Sequence, residues 1–297
     1  MYEQVFGLQR PLFDSEVAEP FFYEGGQRRS ILEAVTYAIG SGEAITKIIG
    51  EPGSGKTSLC RALVSRAGDA FRFVHLQEPE LRSEEIYPVL GKRFGISKDL
   101  ASDTLVGHQT LHDYLVKNHV EGNHVVVIVD QAESMSLATL EELRLLSNLE
   151  TQRHKLLQIV LVGRPKLDEK LARYEIRQLR ERITNSFTLQ PLDQEETLRY
   201  LEQRFAWAGR AGELPIDAGV IKRAHALSGG WPGRVNHLIH KALLVAHVEG
   251  VDRVESRHMR IVARDGVEPS TMSWKWFALA VVLGVLLIAG GLFLTIL

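Results

Sequence analysis

The chain has 297 residues, of which 45% are hydrophobic and 24% charged, a composition typical of a globular protein and not of a disordered one. Its formal net charge of −2 disfavours a polyanion such as nucleic acid as a partner of the whole molecule. The single cysteine, Cys60, excludes an internal disulfide framework and paired-cysteine zinc motifs. The length suits one α/β core and a smaller second domain.

The chain begins with an aromatic-rich lead-in over residues 1–24, which ends at two glycines. From there to residue 191, short apolar runs alternate with stretches of helical apolar spacing. The predicted strands are 45–49, 71–76, 125–129, 156–162 and 186–189, and the predicted helices are 28–40, 57–67, 83–94, 110–118 and 137–149. Because strands that alternate with helices favour a parallel sheet covered on both faces, residues 25–191 are predicted to form an α/β core.

After residue 191 the pattern contains helices only. Asp193 and Glu196 have the spacing of a capping box, and Pro232 is suited to the first turn of a later helix. We therefore predict a small all-helical domain over residues 192–265, followed by a short linker over residues 266–273.

The last segment of the sequence is strongly apolar. The run 277–297 carries no charged side chain, and as a helix it would be about 31 Å long, close to the thickness of a bilayer's hydrocarbon core. Trp274 and Trp276 precede it, as do several basic residues, a pattern typical of the cytoplasmic end of a membrane span. The sequence predicts a transmembrane helix over residues 274–297 and a cytoplasmic body; the alternative is a buried core helix.

One glycine-rich segment joins the first predicted strand to the following helix and matches the pattern G-x-x-x-x-G-K-[ST]. Its glycines allow backbone N–H groups to face a phosphate, its lysine reaches the β- and γ-phosphates, and its threonine can hold Mg²⁺. We predict that ATP and Mg²⁺ bind here. The predicted binding residues are Gly50, Glu51, Pro52, Gly53, Ser54, Gly55, Lys56, Thr57 and Ser58.

A second signal is a run of β-branched residues that ends at Asp130, where a carboxylate can hold Mg²⁺. The next residue is Gln131, whose neutral amide can orient a water molecule but cannot accept its proton at neutral pH. Glu133 could supply the missing carboxylate, or it could be a solvated charge at the start of a helix.

Two arginines are candidates for contacts with the γ-phosphate. Arg182 could enter the site of a neighbouring subunit, as an arginine finger does, or could belong to a surface helix that pairs with Glu175 and Glu181. Arg234 follows a Gly-Gly-Trp-Pro-Gly segment that interrupts the helices. It could contact the γ-phosphate and so make the helical domain sensitive to it, or it could be a simple charge at a helix start. The histidines complete no metal-ligand spacing.

Several segments together resemble the general secretion pathway A family and its relatives, the MSHA pilus-biogenesis ATPases. The segments are Met1-Tyr2 with Phe6-Gly7-Leu8, the loop at 50–57, the strand that ends at Asp130, Gln158 to Gly163, Arg177 to Leu179, Arg182 to Thr184 and Gly229 to Pro232. The resemblance implies an AAA+ fold with a helical lid, a homo-oligomer, and a role in assembling a secretion or pilus apparatus at the bacterial inner membrane. It places Arg182 at the arginine-finger position and Arg234 at the lid sensor position.

The sequence departs from the family in two respects. The family usually has Asp-Glu-Ala-Gln where this chain has Asp130-Gln131-Ala132-Glu133, which puts the rate of hydrolysis in doubt. Larger members continue into a periplasmic domain that commonly binds peptidoglycan, a role that is not carried over here and that a partner could supply.

Three functions therefore remain open. The first is a membrane-anchored ATPase that acts with envelope secretion or pilus assembly proteins. The second is a nucleotide-gated scaffold that hydrolyses little ATP, and the third is a DNA-handling ATPase. The apolar run and the near-neutral charge disfavour the third.

Overall fold

A computed structural model of the chain describes residues 2–13, 21–78, 80–96, 104–151 and 154–265. The described residues of the α/β core form five strands, β1 Ile45–Ile49, β2 Phe71–Leu76, β3 His124–Val129, β4 Leu157–Gly163 and β5 Ile183–Thr188. Neighbouring strands of this sheet run parallel to each other, and their order across the sheet is β2-β3-β4-β1-β5. The predicted α/β fold with a parallel sheet is confirmed.

The register brings three strand ends together. Ile49 of β1 is paired with Gly163 of β4, and Val129 of β3 is paired with Leu161 of the same strand. The segments that follow β1, β3 and β4 therefore emerge side by side at one edge of the sheet, which is where open α/β sheets bind ligands.

Among the described residues of the core, the α-helices are α1 Arg28–Gly40, α2 Lys56–Arg66, α3 Ile86–Phe94, α4 Thr104–Val120, α5 Leu137–Leu146, α6 Lys166–Leu171 and α7 Arg177–Glu181. Helices α1 and α2 cover one face of the sheet, and α3, α4 and α5 cover the other. Central strands β3 and β4 are apolar almost throughout because both of their faces are buried.

Some predicted bounds differ from the structure. Strand β5 begins at Ile183 and not at residue 186, because it is an edge strand whose side chains alternate between partly buried and exposed, which hides it from a search for apolar runs. The predicted helix 83–94 begins with a 3-10 turn over Ser83–Glu85. Helices α6 and α7 are short and were not predicted.

Between the core and residue 265, where the described part of the chain ends, the helices are α8 Gln194–Trp207, α9 Ala218–Ser228, α10 Pro232–Val248 and α11 Ser256–Asp265. The capping box of Asp193 and Glu196 begins α8, and Pro232 occupies the first turn of α10. We call residues 192–265 the helical unit. Helix α11 was not predicted separately.

The lead-in packs on the helical unit. Phe6 and Leu12 are fully buried in one apolar cluster with Leu201, Phe205 and Ile239. The first residues of the chain therefore share a hydrophobic core with helices that lie about 200 positions later in the sequence.

The predicted linker at 266–273 and the predicted transmembrane helix at 274–297 lie outside the described residues. Within the described ranges, no helix combines the length and the apolarity that a membrane span needs.

Candidate functional site

The glycine-rich segment forms a tight loop between β1 and α2. Gly53 and Gly55 have left-handed φ angles of 80° and 97°, which side chains rarely tolerate. A Cβ atom at Gly50 would lie 2.4 Å from the Ser54 Oγ atom, so only glycine fits there. Because α2 begins at Lys56, the loop delivers backbone N–H groups and the positive end of a helix to the same place.

Lys56 lies at the centre of this loop. Its ammonium group donates hydrogen bonds to the carbonyl oxygens of Gly50 and Glu51, at 2.6 and 3.1 Å. Burial lowers the pKa of Lys56. The negative charges of the nearby Glu133 and Asp130 carboxylates raise this pKa and so oppose part of the effect of burial. A half-buried cation therefore lies beside two carboxylates at the carboxyl edge of the sheet.

The loop contains a polar group that suits a ligand. The hydroxyl of Ser54 is fully buried and has no hydrogen-bond partner among the described residues. Buried polar atoms are nearly always paired, so an unpaired hydroxyl in a loop of inward-facing N–H groups fits a bound phosphate.

Asp130 follows β3 at the same edge. One of its carboxylate oxygens accepts a hydrogen bond of 2.8 Å from the backbone N–H of Gln131. Gln131 has a φ of 53°, the only positive value among the described residues other than glycine. Such strained backbone is often found at functional sites.

These residues suit Mg²⁺, which proteins usually hold through one or two carboxylates together with substrate phosphates and water. The donors here would be the carboxylate of Asp130 and the hydroxyl of Thr57. No group of three histidine, cysteine or acidic side chains with the geometry of a metal site occurs in the described part of the chain.

Glu133 is not a solvated charge, so that interpretation is wrong. Only 8% of its side chain is exposed. Its carboxylate accepts a hydrogen bond of 3.1 Å from the backbone N–H of Arg164, and the Arg164 Nε atom lies 3.3 Å from its other oxygen. Both oxygens of Glu133 are therefore held by one residue.

Arg164 is a residue that the sequence analysis missed. It follows β4, the strand between β1 and β3, so it emerges between the phosphate loop and Asp130. A polar residue after a buried strand was the signal that identified Asp130, and the same signal was present at Arg164 after Gly163.

Arg182 lies far from the loop of its own chain. It precedes β5, and Ile183 is paired with Ile45 at the start of β1, whereas the loop follows the end of β1. Arg182 is therefore at the opposite edge of the sheet. The pKa of Glu150 is lowered mainly by its hydrogen bond to Lys155 and by the charge of that lysine. The charge of Arg182 lowers it by a smaller amount.

The alternative interpretation of Arg182 involved pairs with Glu175 and Glu181. No ion pair of Arg182 with either residue occurs within the described ranges. Its role as an arginine finger stays a prediction.

The helical unit touches the phosphate loop directly. The backbone N–H of Gly233 in α10 donates a hydrogen bond of 2.8 Å to the carbonyl oxygen of Gly53. A Cβ atom at Gly233 would lie 2.7 Å from the Gly53 Cα atom, closer than such contacts allow. Arg234 is the next residue and its side chain is exposed, so the contact brings it to the rim of the loop.

A cavity of about 300 Å³ lies between the loop and the helical unit. Its lining combines the loop and the start of α2 with aromatic residues of the lead-in and polar side chains of α8 and α10. Outside the loop, the lining residues include Phe13, Phe21, Phe22, Tyr23, Arg28, Tyr200, Arg204 and Asn236. A cavity beside a phosphate loop that combines aromatic side chains with polar and charged groups suits a purine base and its ribose.

The polar groups of this cavity are held in place. The Tyr200 hydroxyl donates a hydrogen bond of 2.7 Å to the Asn236 Oδ1 atom. Arg204 is buried, donates to the carbonyl oxygen of Leu12 at 2.6 Å, and lies over the ring of Phe21, with 4.7 Å from its guanidinium carbon to the ring centroid. The lead-in is thereby bound to α8.

A second buried arginine connects the loop to the start of the helical unit. Arg28 donates hydrogen bonds to the carbonyl oxygens of Ser54 at 3.3 Å and Gln190 at 3.1 Å. Burial lowers its pKa. Gln190 lies two residues before the helical unit, so one guanidinium contacts both the loop and the segment that leads into that unit.

Comparison with known proteins supports this arrangement. Residues 39–171 match the AAA domain family. Over 293 residues the chain is 29% identical to general secretion pathway protein A from Aeromonas hydrophila, which covers 98% of the chain. The chain spans 53%, about half, of the length of that relative.

Solved structures show the same fold. The Aeropyrum pernix ORC2 protein, in a structure described as ADPNP-ADP complexes, aligns with a TM-score of 0.66 and 17% identity over 91% of this chain and 74% of that one. CDC6P from Pyrobaculum aerophilum aligns with a TM-score of 0.64 and 14% identity over 85% of this chain and 71% of that one.

The RuvB Holliday junction branch migration motor of Thermotoga maritima gives a TM-score of 0.53 and 16% identity, over 80% of this chain and 68% of that one. At these identities the likeness shows the fold alone. The resemblance indicated by the sequence motifs is confirmed: residues 39–171 match the AAA domain family, and the chain is similar to general secretion pathway protein A along nearly its whole length.

Proposed function

We propose that this protein is a magnesium-dependent ATPase whose helical unit acts as a lid on the phosphate loop. The observation that carries the proposal is the backbone contact between Gly233 and Gly53 beside the cavity. A ligand in the cavity would touch both the loop and the helical unit. Its phosphates would therefore affect how the two parts sit together.

Each part of ATP has residues that suit it. The triphosphate would lie against the backbone N–H groups of the loop, with the Lys56 ammonium on the β- and γ-phosphates. Mg²⁺, when bound, would neutralise charge on those phosphates and would be held by Thr57 and Asp130. The base would lie among the aromatic side chains between the lead-in and α8.

Hydrolysis also needs a group that accepts a proton from the attacking water. Gln131 can orient water but cannot accept this proton. Glu133 could accept it only after its carboxylate leaves Arg164, to which it is bound by two contacts. These observations also favour a second candidate, a nucleotide-gated scaffold that binds ATP and hydrolyses it slowly.

The place of Arg182 supports an oligomer. Since it lies at the edge of the sheet opposite the loop, it can contact a triphosphate only in another subunit. We propose that a homo-oligomer completes the site in this way, with Arg234 of each lid at the rim of its own loop.

The cellular role is proposed from the likeness to general secretion pathway protein A. The chain would act in the bacterial inner membrane, anchored through the apolar run 277–297, and would support assembly of a secretion or pilus apparatus through partner proteins. Its ATPase body would face the cytoplasm, as the basic residues before the run indicate. Nucleic acid is disfavoured as a partner by the near-neutral net charge.

The decisive experiment measures release of inorganic phosphate from ATP by the purified full chain, with and without Mg²⁺. Lys56→Ala removes the cation on the phosphates and should abolish magnesium-dependent hydrolysis. Lys92→Ala, at an exposed position of α3, is a matched control that should leave the rate unchanged. Equal turnover in wild type and Lys56→Ala would contradict the proposal.

Gln131→Glu distinguishes the ATPase from the scaffold. A carboxylate at this position restores a general base, which typically accelerates proton transfer by about a hundredfold or more. A rise of that size in the rate at saturating ATP supports the scaffold. An unchanged rate supports Glu133 as the base in the wild-type protein.

A further inference from the structure

A groove in the helical unit lies away from the phosphate loop, between α9 and α11. It has a volume of about 490 Å³, and we call it the basic groove. Its lining residues are Gly219, Lys222, Arg223 and Ala226 of α9, with Ser256 and Arg260 of α11. The two helices meet closely at one end, where a Cβ atom at Gly219 would lie 2.7 Å from the Ser256 Oγ atom.

The cations of the basic groove are exposed and carry no compensating charge. Lys222, Arg223 and Arg260 form no ion pair with any of the described residues. By contrast, two nearby arginines form ion pairs: Arg253 with Asp217 and Arg257 with Glu249, each at 2.7 Å. The groove therefore keeps three positive charges in a chain whose net charge is slightly negative.

Apolar side chains lie on the same two helices. Leu227 of α9 is 47% exposed and Ile261 of α11 is 40% exposed. On a helix, residues three or four apart share a face, so Leu227 lies beside Arg223, and Ile261 lies beside Arg257 and Arg264. A surface that mixes exposed aliphatic side chains with cations suits the boundary between lipid headgroups and acyl chains.

The sequence also places this surface near a bilayer. Helix α11 ends at Asp265, and only eleven residues separate it from the uncharged run 277–297. A fully extended chain of that length spans at most roughly 40 Å. If the run is embedded in a membrane, the end of α11 cannot be farther than that from the lipid, and α11 also lines the basic groove.

We propose that the basic groove docks the helical unit on anionic phospholipid headgroups at the membrane surface. The inference rests on the proposed membrane anchor and adds a second, electrostatic contact to it. Basic segments beside a span are attracted to anionic lipid within about one Debye length of the surface, so the contact should weaken as salt rises. Docking would fix the side of the helical unit that faces the membrane.

The test uses the full chain with one reporter cysteine. The native Cys60 is buried and burial raises its pKa to about 12, so a maleimide dye reacts selectively with an introduced cysteine. Ala226→Cys places the dye in the basic groove, and Tyr37→Cys places it on α1, where the native side chain is 77% exposed.

Labelled protein is reconstituted into vesicles of phosphatidylcholine alone or with about 30% phosphatidylglycerol, each with a headgroup-labelled quencher lipid. Quenching of the dye at position 226 should be about threefold or more stronger in the anionic vesicles, and the difference should disappear at about 0.5 M salt. Quenching at position 37 should not depend on lipid charge.

Charge reversal tests whether the three cations of the basic groove are responsible for the dependence on anionic lipid. The triple variant Lys222→Glu, Arg223→Glu and Arg260→Glu should abolish the dependence on anionic lipid. A matched triple in the core, Arg72→Glu, Lys92→Glu and Lys117→Glu, reverses the same number of exposed cations and should leave it intact. Circular dichroism checks that both variants fold.

Two results would overturn the proposal: equal quenching at position 226 in neutral and anionic vesicles, or quenching that the groove triple does not alter. Binding of a duplex DNA oligonucleotide that the groove triple abolishes, without any lipid dependence, would make the surface a nucleic-acid site instead. Flotation with neutral vesicles tests the anchor separately, and phosphate release in detergent tests the ATPase. A negative result for the membrane anchor or for the ATPase is therefore distinguished from a negative result for lipid docking by the basic groove.

Discussion

The phosphate loop and the helical unit enclose the same cavity, but they are built by different means. The loop is shaped by backbone: Gly50, Gly53 and Gly55 occupy positions where a side chain would clash or be strained. The helical unit contributes through side chains, with Arg204 and Tyr200 held by contacts to the lead-in and to α10. In the function proposed above, the first region would bind the phosphates that all nucleotides share, and the second would respond to the bound nucleotide.

This difference explains where the two regions are joined. At the closest point neither contributes a side chain, because Gly233 approaches Gly53 through backbone atoms alone. On another side of the loop, in contrast, the buried Arg28 side chain donates hydrogen bonds to Ser54 and to Gln190, two residues before the helical unit. The loop is therefore contacted by backbone on one side and by a cation on the other.

The largest effect is expected from the core of the helical unit. Phe205→Ala removes a ring that is 1% exposed and packed with Phe6 and Leu12 of the lead-in. Such a cavity should lower the free energy of unfolding by about 3–5 kcal/mol. Thermal denaturation followed by circular dichroism measures the loss.

Tyr37→Ala at an exposed position is the control for Phe205→Ala and should change stability by less than about 0.5 kcal/mol. A loss for Phe205→Ala as small as that of the control would contradict the burial of this ring in a core shared with the lead-in.

The next effect tests the backbone contact. Gly233→Ala introduces a methyl group 2.7 Å from the Gly53 Cα atom, so the helical unit must move away from the loop. We expect ATP affinity to fall by about tenfold or more, which corresponds to about 1.4 kcal/mol. Isothermal titration calorimetry with a non-hydrolysable ATP analogue measures the affinity.

Gly40→Ala is the matched control for the backbone contact, since a Cβ atom there meets only the Phe71 ring at an ordinary 3.8 Å. If both alanine variants bind the analogue as wild type does, the contact between loop and helical unit has no part in binding.

The smallest effect concerns the cavity side chains. Tyr200→Phe removes the hydroxyl that donates to Asn236 and leaves the ring in place. Without this hydroxyl the Asn236 side chain is no longer held in the cavity, and we expect binding of the ATP analogue to weaken by no more than the net value of one hydrogen bond, about 0.5–1.5 kcal/mol. The same calorimetric titration measures the change. If the affinity of Tyr200→Phe for the analogue equals that of wild type, this hydrogen bond has no part in recognition of the base.

The two regions also differ in how far the sequence predicts them. The loop and the Asp130 strand have local signals, namely glycine spacing and a β-branched run that ends in a carboxylate, and the structure places both at one edge of the sheet. Helices α1 and α10 begin where their apolar spacing and Pro232 indicated. Local rules were enough because these features are set by residues close in sequence.

The features that were missed depend on residues distant in sequence. The burial of the lead-in against α8 and α10 joins positions that no local pattern connects. The hydrogen bonds of Arg28 to Ser54 and Gln190 depend equally on the tertiary fold. Glu133 was open between two roles because its partner, Arg164, follows a different strand.

If the loop binds ATP and the helical unit responds to it, both regions should change together when nucleotide is added. Hydrogen exchange, with and without Mg²⁺ and the ATP analogue, tests both parts in one measurement. We predict that the analogue increases protection of the loop amides at 53–58 and of the amides at 231–236 together, and that Lys56→Ala loses both effects. Protection confined to the loop, or protection that survives in Lys56→Ala, would contradict this account.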